Sequence, residues 1–240
     1  MIYQDKFKTG LKDIGKNNQI KNRAILEILE NIGAYHSDRV GYGANDVERT
    51  GVTWILLDWK LQVIDRPNYG QAVWVDTWGR HMTKASTYRD FEVFDENHKL
   101  RAIATSKWAL IDAKKGRIIK IPSEIANSYD PEERHVFEEE EIEKLKEPEH
   151  YESSIHYRVN RKDIDINGHM HNLYYLDLAY EALPEQVYQQ RPYNQVRIHY
   201  RKEIKLGENL LCQYTQEQEK HIVGIYDEEG EDLHALIYLS

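Results

Sequence analysis

The sequence predicts an α+β fold in which a long helix wrapped by a curved antiparallel sheet occurs twice in one chain. Two stretches carry apolar residues at helical spacing, each is followed by several runs of alternating residues, and the two halves match one another directly.

In the first half, "NRAILEILENIGAYH" places Ile25, Ile28, Leu29 and Ile32 on one helical stripe. "VTWILLDWKLQV", residues 52–63, sets Thr53, Ile55, Leu57, Trp59, Leu61 and Val63 on one face and Asp58, Lys60 and Gln62 on the other, the period of a strand. "QAVWVDTWGR", "KASTYRDFEVFD" and "KLRAIATSKWALID" continue in β-branched and aromatic residues, with turns at Pro67 to Gly70 and at Glu96 to His98. The first half therefore reads as one helix and then an antiparallel meander.

The order recurs in the second half. "HNLYYLDLAYEALP" carries Leu173, Leu176 and Ala179/Tyr180 on a helical stripe, followed by "NQVRIHYRKEI", "NLLCQYTQEQ", "HIVGIYD" and "DLHALIYLS" as strands. "VFDENHKLRAIA" matches "IYDEEGEDLHALI" with a one-residue insertion, which supports an internal repeat. The expected domains are residues 1–125, an acidic linker over 126–150, and residues 151–240. Residues 130–149 hold ten acids against three bases and predict a solvated linker helix. A duplicated chain reaches the burial that a single unit would otherwise gain as a homodimer, and a homodimer of the whole chain stays open.

The 240 residues, 40% apolar, suffice for a buried core. A net charge of −9 argues against nucleic acid as a partner, because phosphate binding needs a basic surface. No run approaches the roughly 18 apolar residues of a membrane span, and residues 1–30 lack a signal-peptide pattern, so the expectation is a cytoplasmic protein. The single cysteine, Cys212, excludes an intramolecular disulfide and a cysteine-based metal site. Cys212 is expected to be a small core hydrophobe.

"DIDINGHMHN", residues 163–172, brings Asp165, Asn167 and His169 to alternate positions before a helix. A carboxylate can orient or deprotonate water, an asparagine amide donates and accepts, and a histidine moves protons near neutral pH. An extended segment would put all three on one side, and a helix starting near Gly168 would add free N–H groups and a positive dipole end. The same residues are favoured in turns and helix caps whatever the function. His169 and His171 lack a clear third ligand, so no metal and no cofactor are expected.

Taken together, "VTWILLDWKLQVIDRPNYGQAVWVDTW", "DIDINGHMHNLYYLD" and "HYRKEI" resemble the acyl-ACP thioesterase family, the fatty-acid chain terminators of plants and bacteria. The likeness spans roughly residues 2 to 238. It implies a tandem double hotdog fold and hydrolysis of the thioester between a fatty acyl chain and acyl carrier protein. It also implies that Asp165, Asn167 and His169 are the catalytic residues of the DxNxH motif and that Glu203 is the catalytic glutamate. Plant members commonly carry a cysteine after that glutamate. Here the position is Ile204, which excludes a thiol nucleophile and leaves attack by water, or by a carboxylate through an anhydride. The length is that of the bacterial members, without the targeting segment of the plant enzymes.

Strict alternation would place Glu203 with Arg197, His199 and Arg201, so a bulge must re-aim it or it pairs with a surface arginine. The first half, with Trp54, Trp59, Trp74, Trp78 and Trp108 but no DxNxH, is the expected acyl-chain half. For the acidic carrier protein, the basic candidates are residues 186–205 (Arg191, Arg197, Arg201, Lys202, Lys205) and "KKGRIIK" at 114–120. An acyl-CoA thioesterase, a non-catalytic acyl-thioester binder and a hydratase are the competing readings.

Overall fold

The computed structural model describes residues 1–82 and 85–240. The chain forms two units, Met1–Ile142 and Glu143–Ser240. Unit 1 runs β1 (Tyr3–Lys8), α1 (Asn22–Arg39), α2 (Val47–Thr50), β2 (Val52–Val63), β3 (Ala72–Gly79), β4 (Ser86–Asp95), β5 (Leu100–Asp112), β6 (Arg117–Ile118) and α3 (Ser123–Ser128). Its strands pair antiparallel in the order β1-β3-β4-β5-β2, with β6 against β5. Lys84, at the start of the third predicted strand, lies outside the described residues.

Unit 2 runs β7 (Ser153–Arg158), α4 (Asn172–Ala182), α5 (Glu185–Tyr188), β8 (Gln195–Tyr200), β9 (Asn209–Glu217), β10 (Lys220–Asp227) and β11 (Leu233–Leu239). The strand order is β7-β9-β10-β11-β8, antiparallel throughout and the same as in unit 1. Each unit is thus a helix laid against an antiparallel sheet, the hotdog arrangement, and the duplication is complete to the order of the strands. Both units also begin with an edge strand, β1 or β7, that the periodicity of the sequence does not reveal.

Burial of apolar side chains between helix and sheet holds each unit together. In unit 1 the buried side of α1 carries Ala24, Ile25, Leu26, Leu29, Ile32 and His36. In unit 2 the buried side of α4 carries Leu173, Tyr175, Leu176, Leu178, Ala179 and Ala182. Strand β2 departs from the expected alternation. The register against β5 shifts between Leu56 and Asp58, so buried Leu56 pairs with Trp108 while Trp59, Leu61 and Val63 continue the buried side after the bulge. One extra residue moves the apolar set from one parity to the other.

The acidic run is not the predicted helix, since residues 130–150 contain no helical residue. Four consecutive glutamates, Glu138–Glu141, repel one another, and Pro131 and Pro148 remove backbone donors. The segment is a strap held by side chains from the sheets. On unit 1, the Arg134 guanidinium stacks on Trp78 at 3.7 Å, Trp78 Nε1 donates to the Arg134 carbonyl at 3.1 Å, and Arg80 donates to the Glu140 carbonyl. On unit 2, Arg197 donates to the Glu143 carbonyl and Tyr238 to the Lys146 carbonyl.

The tryptophans of unit 1 serve both faces of the sheet. Trp59 packs on Phe91 at 5.4 Å, and Trp54 Nε1 donates to Tyr129 Oη at 3.0 Å beside the end of α1. Trp78 is covered by the strap and Trp74 by Lys6, so these two do not face α1.

Candidate active site

The DxNxH segment is a tight hairpin loop rather than an extended run. Ile164 and Met170 form an antiparallel bridge, the Asp165 N–H donates to the His169 carbonyl at 2.8 Å, and the Gly168 N–H donates back to the Asp165 carbonyl at 3.1 Å. Gly168 has φ of +81°, the left-handed conformation that closes a three-residue hairpin loop and that a side chain resists. The base of the loop is tied by Asp163, buried, whose Oδ2 accepts from the Asn160 N–H and from the Tyr157 hydroxyl, both at 2.7 Å.

Asp165 is the organiser of this loop. Its Oδ1 accepts the Asn167 N–H at 2.8 Å and the His169 N–H at 3.3 Å, and its Oδ2 accepts one N–H of Asn167 Nδ2 at 3.3 Å. Helix α4 does not start near Gly168 but at Asn172, because the bridge between Ile164 and Met170 keeps the chain in hairpin geometry until then. The helix cap is His171, whose Nδ1 accepts the Leu173 N–H at 3.3 Å, a role incompatible with metal ligation through that nitrogen. Among the described residues no group of three or more His, Cys, Asp or Glu side chains could hold a metal ion.

Glu203 approaches the loop from a different part of the chain. Strand β8 ends at Tyr200, so the alternation with Arg197 and His199 does not extend to Glu203, and neither a bulge nor an arginine partner is required. The Met170 N–H donates to the Ile204 carbonyl at 2.8 Å and His169 bridges with Lys205, which sets the glutamate beside the loop. His169 Nε2 lies 3.3 Å from Glu203 Oε2, and Lys205 Nζ lies 3.8 Å from Glu203 Oε1. The Glu203 side chain is 56% exposed and that of His169 33%, so both are open to solvent and substrate. Beneath them, burial raises the Tyr175 phenol above its ordinary range, helped by the negative charges of Glu208, Glu203 and Asp165. Tyr175, which no motif singled out, and Lys205, read in the sequence only as a carrier-docking candidate, are neighbours of the site.

The first repeat carries the same loop with different chemistry. The Gly15 N–H donates to the Gln19 carbonyl at 2.8 Å and the Asn18 N–H to the Gly15 carbonyl at 3.1 Å, with Asn18 at φ +58°. Gly15, Asn17 and Gln19 thus stand where Asp165, Asn167 and His169 stand. The Ile20 N–H donates to the Pro67 carbonyl as Met170 does to Ile204, which puts Arg66 in the place of Glu203. The repeat was readable in the sequence: "LKDIGKNNQIKN" and "RKDIDINGHMHN" share Lys, Asp, Ile and two asparagines in register.

Cys212 is fully buried in β9 between Ile155 and Ile225, and burial pushes its thiol up to about 12. The basic stretch at 186–205 is largely compensated: Arg201 pairs with Glu147 at 2.7 Å, Lys202 with Asp232 at 2.5 Å, and Arg191 lies over Tyr188 at 3.2 Å. "KKGRIIK" spans the exposed turn after β5, the exposed strand β6 and two residues beyond it.

Comparison with known proteins decides the family. The model of the acyl-ACP thioesterase N-terminal domain matches residues 1–129, and that of the C-terminal domain matches residues 145–235. This chain belongs to the acyl-ACP thioesterase family. Within the family it is similar to the chloroplastic oleoyl-acyl carrier protein thioesterase 1 of Arabidopsis thaliana, 25% identical over 85% of this chain and 61% of that protein. The chain thus spans about three-fifths of the length of this curated relative. The fold is shared with an acyl-ACP thioesterase from Bacteroides thetaiotaomicron (TM-score 0.87, 20% identity, 99% of this chain and 96% of that one). It is shared equally with the 12:0-ACP thioesterase from Umbellularia californica (TM-score 0.89, 18% identity, 100% and 96%). Among the described residues of this acyl-ACP thioesterase family member, no helix is long and apolar enough to cross a membrane.

Proposed function

We propose that this member of the acyl-ACP thioesterase family hydrolyses the thioester between a fatty acyl chain and acyl carrier protein, with the chemistry in unit 2 and the acyl chain held by unit 1. The observation that carries the reading is the 3.3 Å approach of His169 Nε2 to Glu203 Oε2 beside the Asp165 loop. The corresponding place in unit 1 offers only Gln19 and Arg66.

In this reading Glu203 is the general base, and the Nε2–H of His169 holds its carboxylate in position. A water proton passes to Glu203 as the water oxygen attacks the thioester carbonyl carbon. The second N–H of Asn167 Nδ2, not used by Asp165, is the donor for the carbonyl oxygen as it becomes an oxyanion. Collapse of the tetrahedral intermediate breaks the C–S bond, the departing sulfur takes the proton from the His169–Glu203 pair, and a free fatty acid and a carrier thiol result. Water is favoured over a thiol because position 204 carries isoleucine, and Cys212 is buried and held protonated. A single buried cysteine suits the reducing cytoplasm as the place of action.

The exposed turn with Lys114 and Lys115, together with Arg117 of β6, supports an acidic carrier protein as partner, since among the described residues only Lys115 of the three has an ion pair, with Asp112 at 3.9 Å. The test is to supply one acyl chain on acyl carrier protein and on coenzyme A and to measure fatty acid release across chain lengths. Release from neither carrier at any length sinks the proposal, and faster turnover of the coenzyme A substrate moves it to an acyl-CoA thioesterase.

A further inference from the structure

Arg89, on β4, is turned toward α1 and is 6% exposed, yet among the described residues no carboxylate meets it. Its Nη1 spends both N–H bonds inside the protein: one on His36 Nδ1 at 2.9 Å, the other on Thr77 Oγ1 at 3.2 Å. Among the described residues, its Nε and Nη2 have no hydrogen-bond partner. Those nitrogens form one edge of the guanidinium fork, the edge that grips a carboxylate or other oxygen acceptor side-on.

His36 adds to the same imbalance. Its Nδ1 accepts from Arg89, so its proton sits on Nε2, and Nε2 is buried with no hydrogen-bond partner among the described residues. Thr77 Oγ1 donates its proton to the Asp90 carbonyl and meets Arg89 only as the acceptor of the Nη1 bond already counted. The place is rich in donors and short of acceptors, and an uncompensated buried cation is costly to keep. Room for the guanidinium is made by Gly33 of α1, where a Cβ would come within 3.3 Å of Arg89 Cδ. The walls are aromatic: Tyr129 lies 5.6 Å from the Arg89 guanidinium, and Phe91, on the same face of β4, packs on Trp59.

Unit 2 shows what the repeat looks like without the charge. The register of β9 and β10 puts His221 and Tyr214 where Arg89 and Thr77 stand, and these two satisfy each other, Nδ1 to hydroxyl, at 3.0 Å. The buried cation is thus peculiar to the half read above as the acyl-chain half.

We infer that unit 1 takes acyl chains that carry an oxygen acceptor, a hydroxyl, keto or carboxyl group, on the chain beyond the thioester, and that Arg89, seconded by His36, hydrogen-bonds that oxygen. The inference rests on the reading of unit 1 as the acyl-chain half. An unsubstituted chain reaching this place would leave the guanidinium edge unpaired. A site built to hydrogen-bond a substrate oxygen discriminates strongly against the analogue that lacks it.

The test compares unsubstituted, hydroxylated, keto and terminal-carboxyl acyl chains of one length as acyl carrier protein thioesters, with the wild-type protein, Arg89→Met and Arg89→Lys. The expected result is a kcat/KM at least ~10-fold higher for an oxygenated chain in the wild type, reversed in Arg89→Met and partly restored in Arg89→Lys. The hydroxyl, keto and carboxyl arms identify the oxygen group. A second readout needs neither hydrolysis nor carrier: N-acetylcysteamine thioesters of the same chains titrated against tryptophan fluorescence, all five tryptophans lying in unit 1. Preferential binding of an oxygenated chain without hydrolysis of any acyl carrier protein substrate keeps this inference and sinks the proposed activity. Hydrolysis with the unsubstituted chain preferred in the wild type, or equal losses on all chains in a folded Arg89→Met, overturns the inference and leaves the activity standing.

Discussion

Arg66 and Glu203 hold the same place in the two repeats, each directly before the residue whose carbonyl accepts the N–H that follows the hairpin loop. Arg66 Nη1 donates to the Ile20 carbonyl at 2.9 Å and the residue is buried, whereas Glu203 is exposed beside His169. Arg66→Glu is therefore expected to create no second active site, since Gln19 lacks the imidazole that positions Glu203 and Gly15 lacks the Asp165 carboxylate that orders the loop. The substitution removes a buried donor and leaves a buried carboxylate, and a loss of about 3 kcal/mol in unfolding free energy is expected from urea titration. A variant as stable as the wild type would show that this place opens readily to solvent.

Glu203→Gln and His169→Ala are expected to lower kcat by about 10²-fold or more while leaving the melting temperature close to wild type, because both side chains are partly exposed and carry little packing. Single-turnover measurements with saturating acyl thioester separate this from lost binding. A rise in KM alone would place the pair in substrate docking instead of chemistry.

Asp165→Asn separates two roles of one carboxylate. The asparagine oxygen can still accept the Asn167 and His169 N–H bonds, so the loop should survive, but the negative charge near His169 is gone. A loss of about 10²-fold in kcat with an unchanged melting temperature is expected. Near-full activity would confine Asp165 to shaping the turn.

Cys212→Ala is expected to retain nearly all activity, and thiol reagents should not inactivate the native protein. The thiol is fully buried and held protonated. Strong inactivation of a folded Cys212→Ala would overturn attack by water.

The pH dependence of stability should carry the signature of His36. Burial first, and then the charges of Arg89, the amino terminus and Arg39, hold its imidazole down to about 3. An unfolded histidine titrates near 6.5, so protonation favours the unfolded chain. The stability contributed by neutral His36 is complete above about pH 6.5 and is lost as the pH falls toward 3, at up to about 1.4 kcal/mol per pH unit. His36→Gln, whose side-chain oxygen can accept from Arg89, should flatten the profile in urea unfolding between about pH 7 and pH 4. An unchanged slope would assign the acid sensitivity to other groups.

The long elements were legible because α1 and α4 and strands β2 to β5 and β9 to β11 must each bury one side, and burial imposes a period. Strands β1 and β7 were not, since an edge strand can expose Gln4, Lys6 and Lys8, or Ser154, His156 and Arg158, on alternate positions and offers a weak apolar signal. The alternation of Asp165, Asn167 and His169 fits an extended run as well as a hairpin loop. Asn167-Gly168, a pair that favours left-handed backbone, was the local sign of the loop. The meeting of His169 with Glu203 depends on the bridge to Lys205 and the bond to Ile204, contacts between parts of the chain separated by α4, α5 and β8. The residue types of the acidic strap showed its charge but not its path, which is set by donors on the sheets.

Those donors, Arg80, Arg197, Trp78 and Tyr238, seize main-chain carbonyls of the strap. Every residue offers the same carbonyl, so these four bonds are blind to the side chains attached, unlike the Arg134 stack on Trp78 and the ion pairs of Glu139 with Lys60 and of Glu147 with Arg201. Where such a bond holds the strap, as at Glu140 and Glu143, the side chain is free of that duty, and its charge can be rewritten by mutation to suit a different electrostatic surface without unfastening the bond.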